Sequence, residues 1–440
     1  MELEALLGSS RQCACGRRHE VGTRRIILGP GAVAELPSAV TPLGASALLL
    51  ADPTTYEVAG VAAERLLRSA GLAVSRETVV PGRTKVVEAS AELAEELHGR
   101  APAVEVVVAV GSGTISDLGK LLAAARGLPL VTVATAPSMN GYPSTIAAVL
   151  QRGVKRTLPV PAPVAIVADT DTMAAAPHAM IAAGLADLLA KCVSAADWKL
   201  AHLLRGEYFC GVPVEVVAEA EQACFAAAER IGRGEPAAVA QLTEGLLLSG
   251  ISMAMAGSSA PASGGEHLIS HYWDMTASAY GLPHNLHGAQ VGLGALICSA
   301  LYECLREREL GGAALRRAAA SAADPARLAR QHLAPLVGTA VAEEIAQEAA
   351  AKQAAKAPRE DLWEALAGLV RPGAELRAAL QAARASVSAE ELGIPAEAVR
   401  NAVRHGRLIR NRYTVLDLAA DLGVLDDLVE EVLERSGVGG

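Results

Sequence analysis

Short runs of Val, Ile and Leu alternate with amphipathic stretches between about residues 22 and 180, and this alternation constrains the fold most. The clearest apolar runs are residues 46–52, 104–111 and 128–136. Because they are apolar throughout, they predict strands of a parallel sheet that is covered on both faces. Residues 56–70 and 89–100 have the apolar spacing of helices. We therefore expect an α/β fold with a doubly wound, mainly parallel, Rossmann-like sheet.

The second half of the chain has a different pattern. From about residue 178 the strand-like runs end, and segments rich in Ala, Leu and Glu with helical periodicity continue through the Ala-rich stretch 311–357 to the end. Prolines in 157–163 and at Pro177 lie where the pattern changes. We predict a nucleotide-binding α/β domain over residues 1–177 and an all-α domain over 178–440 that binds metal and substrate.

Composition and charge argue against several classes of protein. Hydrophobic residues make up 51% of the 440 residues and charged residues 20%, which fits a packed protein and not a disordered one. The net charge of −9, without a Lys/Arg run, argues against a nucleic-acid partner. The seven cysteines are scattered and odd in number, unlike a disulfide framework. Without a secretory signal or an uninterrupted apolar stretch of about 20 residues, we expect a cytoplasmic protein with no membrane insertion. We separately expect a homo-oligomer.

A glycine-containing turn follows the apolar run 104–110 and opens a helical stretch. The turn consists of Gly111, Ser112, Gly113 and Thr114. Glycine lets backbone N–H groups approach a phosphate, and a helix N-terminus adds partial positive charge. The turn therefore predicts a site for the pyrophosphate of a dinucleotide, with an ordinary tight turn as the alternative.

Asp52 ends an earlier strand-like run. Its carboxylate can accept hydrogen bonds from the adenosine ribose and would repel a 2′-phosphate, which favours NAD over NADP. The alternative is that Asp52 caps a helix that begins near Thr54.

A further polar segment, residues 134–142, follows the run 128–136 and is predicted to lie on the ligand-binding edge of the sheet. It is rich in small and hydroxylic residues, from which we expect Thr135, Ser138 and Tyr142 to contact the cofactor. Tyr142 and His271 are also candidate proton relays. Asn140 can donate to or accept from a substrate hydroxyl. The alternative is that Asn140, which precedes Gly141, serves only the turn.

Three separate places supply metal-ligand side chains. They contain Asp187, then His267 and His271, then His284 and His287. One Asp and two His give a divalent ion three ligands and leave positions for a substrate oxygen. His267 and His271 are one helical turn apart, and the spacing of His284 and His287 also allows a shared helix face, so the spacing permits several combinations.

Residues 111–120 resemble the Gly-Gly-Gly-Ser-x-x-Asp-x-x-Lys fingerprint of the iron-containing alcohol dehydrogenase and dehydroquinate synthase-like superfamily, with Ser112 and Thr114 as departures. Residues 136–142 resemble the Ala-Pro-Ser-Met-Asp-Gly-Tyr motif of bacterial sn-glycerol-1-phosphate dehydrogenases, with Asn140 in place of Asp. The family's metal-bearing motifs, Gly-x-x-Asp-Leu-x-x-Lys, Ser/Gly-Glu-His and His-Gly-x-Gln-Val-Gly, match at Asp187, His267 and His287.

The resemblance implies an NAD- or NADP-dependent enzyme that interconverts dihydroxyacetone phosphate and sn-glycerol 1-phosphate. It implies one divalent ion, zinc, nickel or iron, held by Asp187, His267 and His287, and it puts Asp117 and Lys120 near the nicotinamide ribose and the reacting centre. Among the catalytic residues we expect these three ligands with Lys120 and Asn140.

Several alternatives remain open at this point. A non-phosphorylated polyol dehydrogenase such as a glycerol dehydrogenase is one, since Asn140 departs from the family pattern. A dehydroquinate-synthase-like lyase and a catalytically inactive binding relative are the others. Lys155 and Arg156 are candidates for binding a substrate phosphate, or form a solvated basic pair.

Near the N-terminus, Cys13, Cys15 and His19 are ligand types that bind zinc. Two thiols and one imidazole make an incomplete tetrahedral set, and the sequence offers no clear fourth ligand. Members of the resembled family often have a similar Cys-x-Cys-Gly followed by a His and a Thr such as Thr23.

Overall fold

The computed structural model describes residues 3–81, 86–311, 314–315, 324–353 and 356–439. The chain forms two compact units. The first comprises Met1–Gln151, Lys155–Leu188 and Val212–Ser259, and the second comprises Arg152–Val154, Leu189–Gly211 and Ala260–Gly440. The domain boundary predicted at residue 178 lies where strands give way to helices, and it remains a prediction. The first compact unit extends beyond this boundary, because it also contains the helices of residues 212–259.

The first unit contains a six-stranded parallel sheet with the order β3-β10-β7-β6-β4-β5. Its strands are β3 (Arg25–Gly29), β4 (Ser46–Ala51), β5 (Ala73–Thr78), β6 (Val106–Gly111), β7 (Leu130–Ala134) and β10 (Ala165–Asp169). Val108 of β6 lies opposite Leu49 on one side and Val131 on the other. The side chains of β6 are buried on both faces of the sheet, which explains the continuous apolar runs and confirms the predicted doubly wound fold.

The first unit contains further strands and helices besides this sheet. Two small pairs of strands are β1 (Ser10–Gln12) with β2 (Arg18–Glu20), and β8 (Ile146–Gln151) with β9 (Val154–Pro159). The helices are α1 (Leu36–Val40), α2 (Pro53–Thr55), α3 (Val61–Ser69), α4 (Ala91–Arg100), α5 (Gly113–Arg126), α6 (Thr170–Ala174), α7 (His178–Leu189), α9 (Gly211–Ala226), α10 (Ala228–Gly232) and α11 (Pro236–Ala256).

The second unit is helical, and after Asp169 the described residues contain no strand. Its helices are α8 (Lys191–Arg205), α12 (Gly265–Tyr280), α13 (His287–Glu307), α14 (Pro325–Val337), α15 (Thr339–Ala350), α16 (Leu362–Ala365), α17 (Gly373–Ala382), α18 (Ala396–His405), α19 (Val415–Asp421) and α20 (Leu425–Ser436). The Ala-rich stretch 311–357 is mainly helical where it is described, with a break at Gly338, and parts of it lie outside the described residues.

Three helical segments are long and apolar enough to cross a membrane by length and composition alone. They are His178–Arg205, Pro236–Ala256 and His287–Glu307, and 83%, 83% and 89% of their most apolar windows are buried inside the protein. Burial of this extent accounts for their apolar composition, because they supply core-facing side chains on all sides.

Helix α5 packs unusually close to the sheet. A Cβ atom placed on Gly119 would lie 2.6 Å from Cβ of Ala109 in β6, and one on Gly111 would lie 2.5 Å from Cβ of Ile115. Real Cβ atoms do not approach this closely, so the absence of a side chain at both positions lets α5 begin directly against the end of β6. Close helix–strand packing is one of the roles of glycine in dinucleotide-binding turns.

We predict that Gly119→Ala lowers the free energy of unfolding by about 1–3 kcal/mol, because the new methyl group displaces α5 from β6. Gly99→Ala in α4 is the matched control, since a Cβ there meets nothing within 4 Å. The control should be as stable as the parent protein or slightly more stable. Thermal and urea unfolding of both variants tests this, and a Gly119→Ala protein as stable as the control would contradict the packing argument.

Candidate metal centre and nucleotide site

The strand order creates a crevice at the carboxyl ends of β4 and β6. From β4 the chain continues to β5 on one side, and from β6 it continues to β7 on the other side. The strand order therefore reverses between β4 and β6. Ligands of open α/β sheets bind at such a reversal. Asp52 follows β4 and Ser112 follows β6, so the topology places both residues at this edge.

The turn after β6 has the geometry of an anion site. Ser112 is the N-cap of α5 and Gly113 is its first residue. The first N–H groups of a helix have no acceptor within it and attract negative charge. A Cβ on Gly113 would lie 3.3 Å from Cγ of Met139, and the N–H of Thr135 donates to the carbonyl of Gly111 at 3.2 Å. The turn and the loop after β7 are therefore side by side.

Asp52 caps α2, as one of the sequence-based alternatives predicted. Its Oδ1 accepts from the N–H of Thr55 at 2.9 Å, and its own N–H donates to the Thr55 hydroxyl at 3.1 Å. This capping box by itself explains why a carboxylate stands at this position, whether or not a cofactor contacts it. The predicted contact of Asp52 with a cofactor ribose remains a prediction.

Lys120 is buried in α5 beneath the loop that follows β7. Its ammonium donates to the carbonyl of Gly141, to the Ser144 hydroxyl at 2.9 Å and to the carbonyl of Ile146 at 3.0 Å. These three acceptors match the three donors of an ammonium group. Burial lowers the pKa of Lys120 to about 8. Lys120 therefore holds the loop, and its predicted place at the reacting centre remains a prediction.

Asp117 lies one helical turn before Lys120. Its Oδ1 is 3.8 Å from the Lys120 ammonium, and its Oδ2 accepts from the N–H of Ala148 at 3.1 Å. The pKa of Asp117 is raised overall, because burial raises it by more than Lys120, that N–H and Lys155 lower it. Asp117 thus joins α5 to β8, and its predicted contact with the nicotinamide ribose is a separate expectation.

The loop after β7 folds back on itself through Tyr142. This side chain is buried, and its hydroxyl donates to the carbonyl of Ala136 at 2.8 Å. Burial raises the pKa of the phenol above its ordinary value. Thr135 and Ser138 are also buried in this loop. Tyr142 therefore closes the loop, and a role in proton transfer gains no support from its geometry.

Asn140 lies at the inner end of the same loop and is 8% exposed. Its backbone N–H donates to Oδ2 of Asp187 at 3.1 Å, and its side-chain amide donates to the Ser249 hydroxyl at 3.1 Å. A residue that served only a surface turn would not make these buried contacts. Asn140 thus orients the Asp187 carboxylate, a contact that the sequence does not reveal.

Two glycines let the helices on either side contact the backbone of this loop. A Cβ on Gly184 of α7 would lie 1.7 Å from the carbonyl oxygen of Pro137, and one on Gly250 of α11 would lie 2.4 Å from that of Asn140. Asp187 is one helical turn after Gly184. The same close contact that fixes the loop therefore fixes the position of Asp187.

In the second unit, three histidine rings form a cluster at the start of α12 and α13. The ring centroids of His267 and His287 are 5.0 Å apart, and His271 lies 5.9 Å and 5.6 Å from them. The two helices meet closely because a Cβ on Gly294 of α13 would lie 2.5 Å from the carbonyl oxygen of Glu266. Helix packing thus brings together histidines that are 20 residues apart in sequence.

Neighbouring side chains orient two of these rings. Nδ1 of His267 lies 2.8 Å from Oε1 of Glu266, and Nδ1 of His287 lies 3.3 Å from the Ser270 hydroxyl. That hydroxyl donates to Oε1 of Gln290 at 2.8 Å, so it accepts from the histidine. Both rings therefore carry their proton on Nδ1 and direct the lone pair of Nε2 away from these partners, as metal-binding histidines do.

One ligand atom each of Asp187, His267 and His287 lies within 4.8 Å of the others. His271 and His284 do not belong to this group of three. A carboxylate and two imidazoles with their Nδ1 atoms already occupied are a donor set that suits zinc, nickel or iron. The residues present therefore fit a divalent ion, and their arrangement leaves a ligand position for substrate.

A second buried carboxylate, Asp197, secures the start of α12. It accepts hydrogen bonds from the N–H groups of Gly265 at 2.7 Å and Val415 at 2.8 Å, and from the Tyr302 hydroxyl at 2.6 Å. Burial and the nearby charge of Glu266 raise the pKa of Asp197 to about 7. Asp197 is given no role by the sequence alone, because nothing in the residues around it indicates these partners.

Comparison with known proteins gives a consistent assignment. A family model for iron-containing alcohol dehydrogenase matches residues 27–177. The chain is 36% identical over 295 residues to glycerol-1-phosphate dehydrogenase (NAD(P)+) of Halalkalibacterium halodurans, a match covering 66% of this chain and 74% of the relative. It is 31% identical over 426 residues to the protein of that name from Bacillus licheniformis, covering 95% and 94% of the two chains.

Solved structures show the same fold at lower identity. A probable glycerol dehydrogenase from Sinorhizobium meliloti 1021 has a TM-score of 0.62 and 18% identity, with 93% of this chain and 98% of that chain covered. A 1,3-propanediol oxidoreductase has a TM-score of 0.60 and 16% identity, with 92% and 98% covered. These similarities confirm the fold, and at such identities they carry no substrate assignment.

We predict that Ser270→Ala weakens binding of a divalent ion roughly 10-fold to 100-fold, because it removes the group that orients the His287 ring. Ser299→Ala is the control, since Ser299 lies in the same helix as His287 but donates to the carbonyl of Arg371. Competition titrations with a fluorescent chelator measure the affinity of each variant. Equal affinities for the two variants would show that the Ser270 contact does not support a metal ligand.

Proposed function

The chain belongs to the glycerol-1-phosphate dehydrogenases of the iron-containing alcohol dehydrogenase family, and we propose that it interconverts dihydroxyacetone phosphate and sn-glycerol 1-phosphate with NAD(P). It is an NAD(P)-dependent oxidoreductase that acts on a CH–OH group.

The grouping of Asp187, His267 and His287 carries the proposal. When bound by these side chains, a divalent ion lowers the pKa of the substrate alcohol and, in the reverse direction, polarises the ketone. The neighbouring residues of the chain keep the three ligand side chains in a fixed orientation. Glu266 and Ser270 hold the two imidazoles by Nδ1, and the backbone of Asn140 holds the carboxylate.

The turn at residues 111–114 is the proposed site of the dinucleotide pyrophosphate. When bound, the dinucleotide accepts or supplies the hydride at C4 of its nicotinamide. The N–H groups at the start of α5 would bind the phosphates, and Gly113 would allow their approach because it has no side chain. Lys120 keeps the neighbouring loop in place through its three acceptors, so we assign it a positioning role beside this site.

Lys155 and Arg156 in β9 are candidates for the phosphate of the substrate. Both side chains are partly exposed, and the charge of Lys155 reaches Asp117, where it lowers the carboxyl pKa. A cation at this place would attract an anionic substrate at long range even without a direct hydrogen bond.

We also propose that the enzyme acts in the cytoplasm on a small molecule, as a homo-oligomer without membrane insertion or a nucleic-acid partner. The net charge of −9 supports the last point, because nucleic acids require a basic surface. The burial of the three long apolar helical segments inside the protein supports the absence of insertion.

We expect metal-loaded protein to oxidise NADH with dihydroxyacetone phosphate faster than with dihydroxyacetone, and His267→Ala to lose at least about 100-fold in kcat/KM. His98→Ala, at an exposed position of α4, is the control and should retain activity. Absorbance of NADH measures the rates. A preference for dihydroxyacetone would instead identify a glycerol dehydrogenase, and activity on neither ketone would overturn the proposed reaction.

Asp52 allows its capping and cofactor roles to be separated. Asparagine caps a helix about as well as aspartate, so Asp52→Asn should keep the stability of the parent while removing the charge that repels a 2′-phosphate. We predict that this variant raises the kcat/KM ratio of NADPH to NADH by about tenfold. Asp52→Ala should show the same ratio with lower stability. An unchanged ratio in both variants would leave Asp52 as a helix cap only.

A further inference from the structure

The N-terminal hairpin carries a second group of ligand-type side chains, which the proposed reaction does not use. Strands β1 and β2 pair antiparallel with Gln12 opposite Arg18, and the connection between them contains Cys13 and Cys15. Two backbone hydrogen bonds of 3.0 Å tighten this connection, from Cys13 N–H to the carbonyl of Arg17 and from Gly16 N–H to that of Cys13. The fold therefore presents both thiols from one short turn.

His19 in β2 completes this group on the hairpin. Its Nε2 lies 3.6 Å from Sγ of Cys15, and its Nδ1 lies 2.6 Å from the carbonyl oxygen of Met255. Because a carbonyl only accepts, Nδ1 carries the proton and Nε2 carries the lone pair that faces the thiol. A backbone carbonyl on Nδ1 is the arrangement that orients a metal-binding histidine.

The distance from Cys15 to His19 suits a shared zinc ion. With Zn–S near 2.3 Å and Zn–N near 2.05 Å, tetrahedral geometry separates the sulfur and nitrogen by about 3.6 Å. This is the distance observed between Cys15 Sγ and His19 Nε2. The hairpin is thus already spaced for two ligands of one ion.

A fourth ligand comes from Cys210, far along the chain. The ligand atoms of Cys13, Cys15, His19 and Cys210 all lie within 4.8 Å of one another. His19 and Cys210 are buried, and the other two thiols are partly buried. Three cysteines and one histidine fill all four positions of a tetrahedral ion, which is typical of structural zinc sites and leaves no position for a substrate.

We propose that Cys13, Cys15, His19 and Cys210 bind a structural zinc ion, separate from the ion held by Asp187, His267 and His287. Thiolate ligands select soft or borderline ions such as zinc, whereas the Asp187 group offers only oxygen and nitrogen. The ion adds a crosslink among these four side chains. Its role is in folding and not in hydride transfer, so the test does not depend on activity.

Cobalt substitution distinguishes the two sites by spectroscopy. Full-length protein is stripped of metal, kept reduced and titrated with Co²⁺ alone. A thiolate-to-cobalt charge-transfer band in the near ultraviolet should appear in the parent and in His267→Ala, because only the cysteine site supplies sulfur. The band should be lost in the double variant with Cys13→Ser and Cys15→Ser, and retained in Cys192→Ser, a control at another partly buried cysteine.

Metal content provides the second measurement. Zinc-loaded parent protein should hold about two ions per chain, and both the double cysteine variant and His267→Ala should hold about one. Should the double variant be insoluble, titration of the parent with a thiol-specific mercurial replaces it and should release about one zinc ion. A parent without the charge-transfer band, or a mercurial that releases no zinc, would overturn the proposal.

Discussion

The loop after β7 is buried although its backbone is irregular, and the arrangement of the candidate site depends on how its polar groups find partners. A buried carbonyl or N–H group without a partner destabilises a fold. The backbone groups of such a loop cannot pair as in a helix or a sheet, so side chains must supply their hydrogen-bond donors and acceptors. Lys120 supplies donors to the carbonyls of Gly141 and Ile146, and Tyr142 supplies one to Ala136. Asp187 accepts the N–H of Asn140. The carboxylate of Asp187, a proposed metal ligand, is therefore oriented by the same network that permits the loop to be buried.

In the second unit, buried polar side chains also have hydrogen-bond partners, which come from different residues. Its histidine rings are held by Glu266 and Ser270 on Nδ1, and Glu266 itself accepts from the N–H of Gly264 at 2.7 Å. Burial raises the pKa of Glu266 to about 7, against the lowering effect of that N–H and of Lys191. Placing a carboxylate here is unfavourable unless its charge has partners. A bound cation near His267 would favour the ionised form of Glu266 for the same electrostatic reason.

The sequence predicts the sheet well because its strands leave a local signal. Its motifs also select Asp187, His267 and His287, whose ligand atoms lie within 4.8 Å of one another, and their metal binding remains a prediction. Apolar runs identify β4, β6 and β7, although their predicted ends extend past the observed ones by one or two residues, since strand ends depend on pairing with neighbours. The contacts of Ser249, Ser270 and Gln290 escape prediction. Serine and glutamine are common surface residues. Only the packing of α11 against the loop after β7, and of α12 against α13, determines what they face. Cys210 escapes for a related reason, because no spacing rule links it to a hairpin almost 200 residues earlier in the chain.

Asn140 stands where the resembled family motif has aspartate. This difference changes the charge of the site more than its shape. The side-chain amide donates to the Ser249 hydroxyl, and an aspartate could keep this contact only if Ser249 turned its own proton toward the carboxylate. With asparagine at this position, Asp187 is the one carboxylate among the three proposed ligands. A divalent ion held by these residues would retain more of its positive charge and would favour the anionic form of a substrate alcohol. The same exchange removes one attraction for the ion, so tight binding depends more strongly on the orientation of Asp187 by the Asn140 backbone and of the histidines by Glu266 and Ser270.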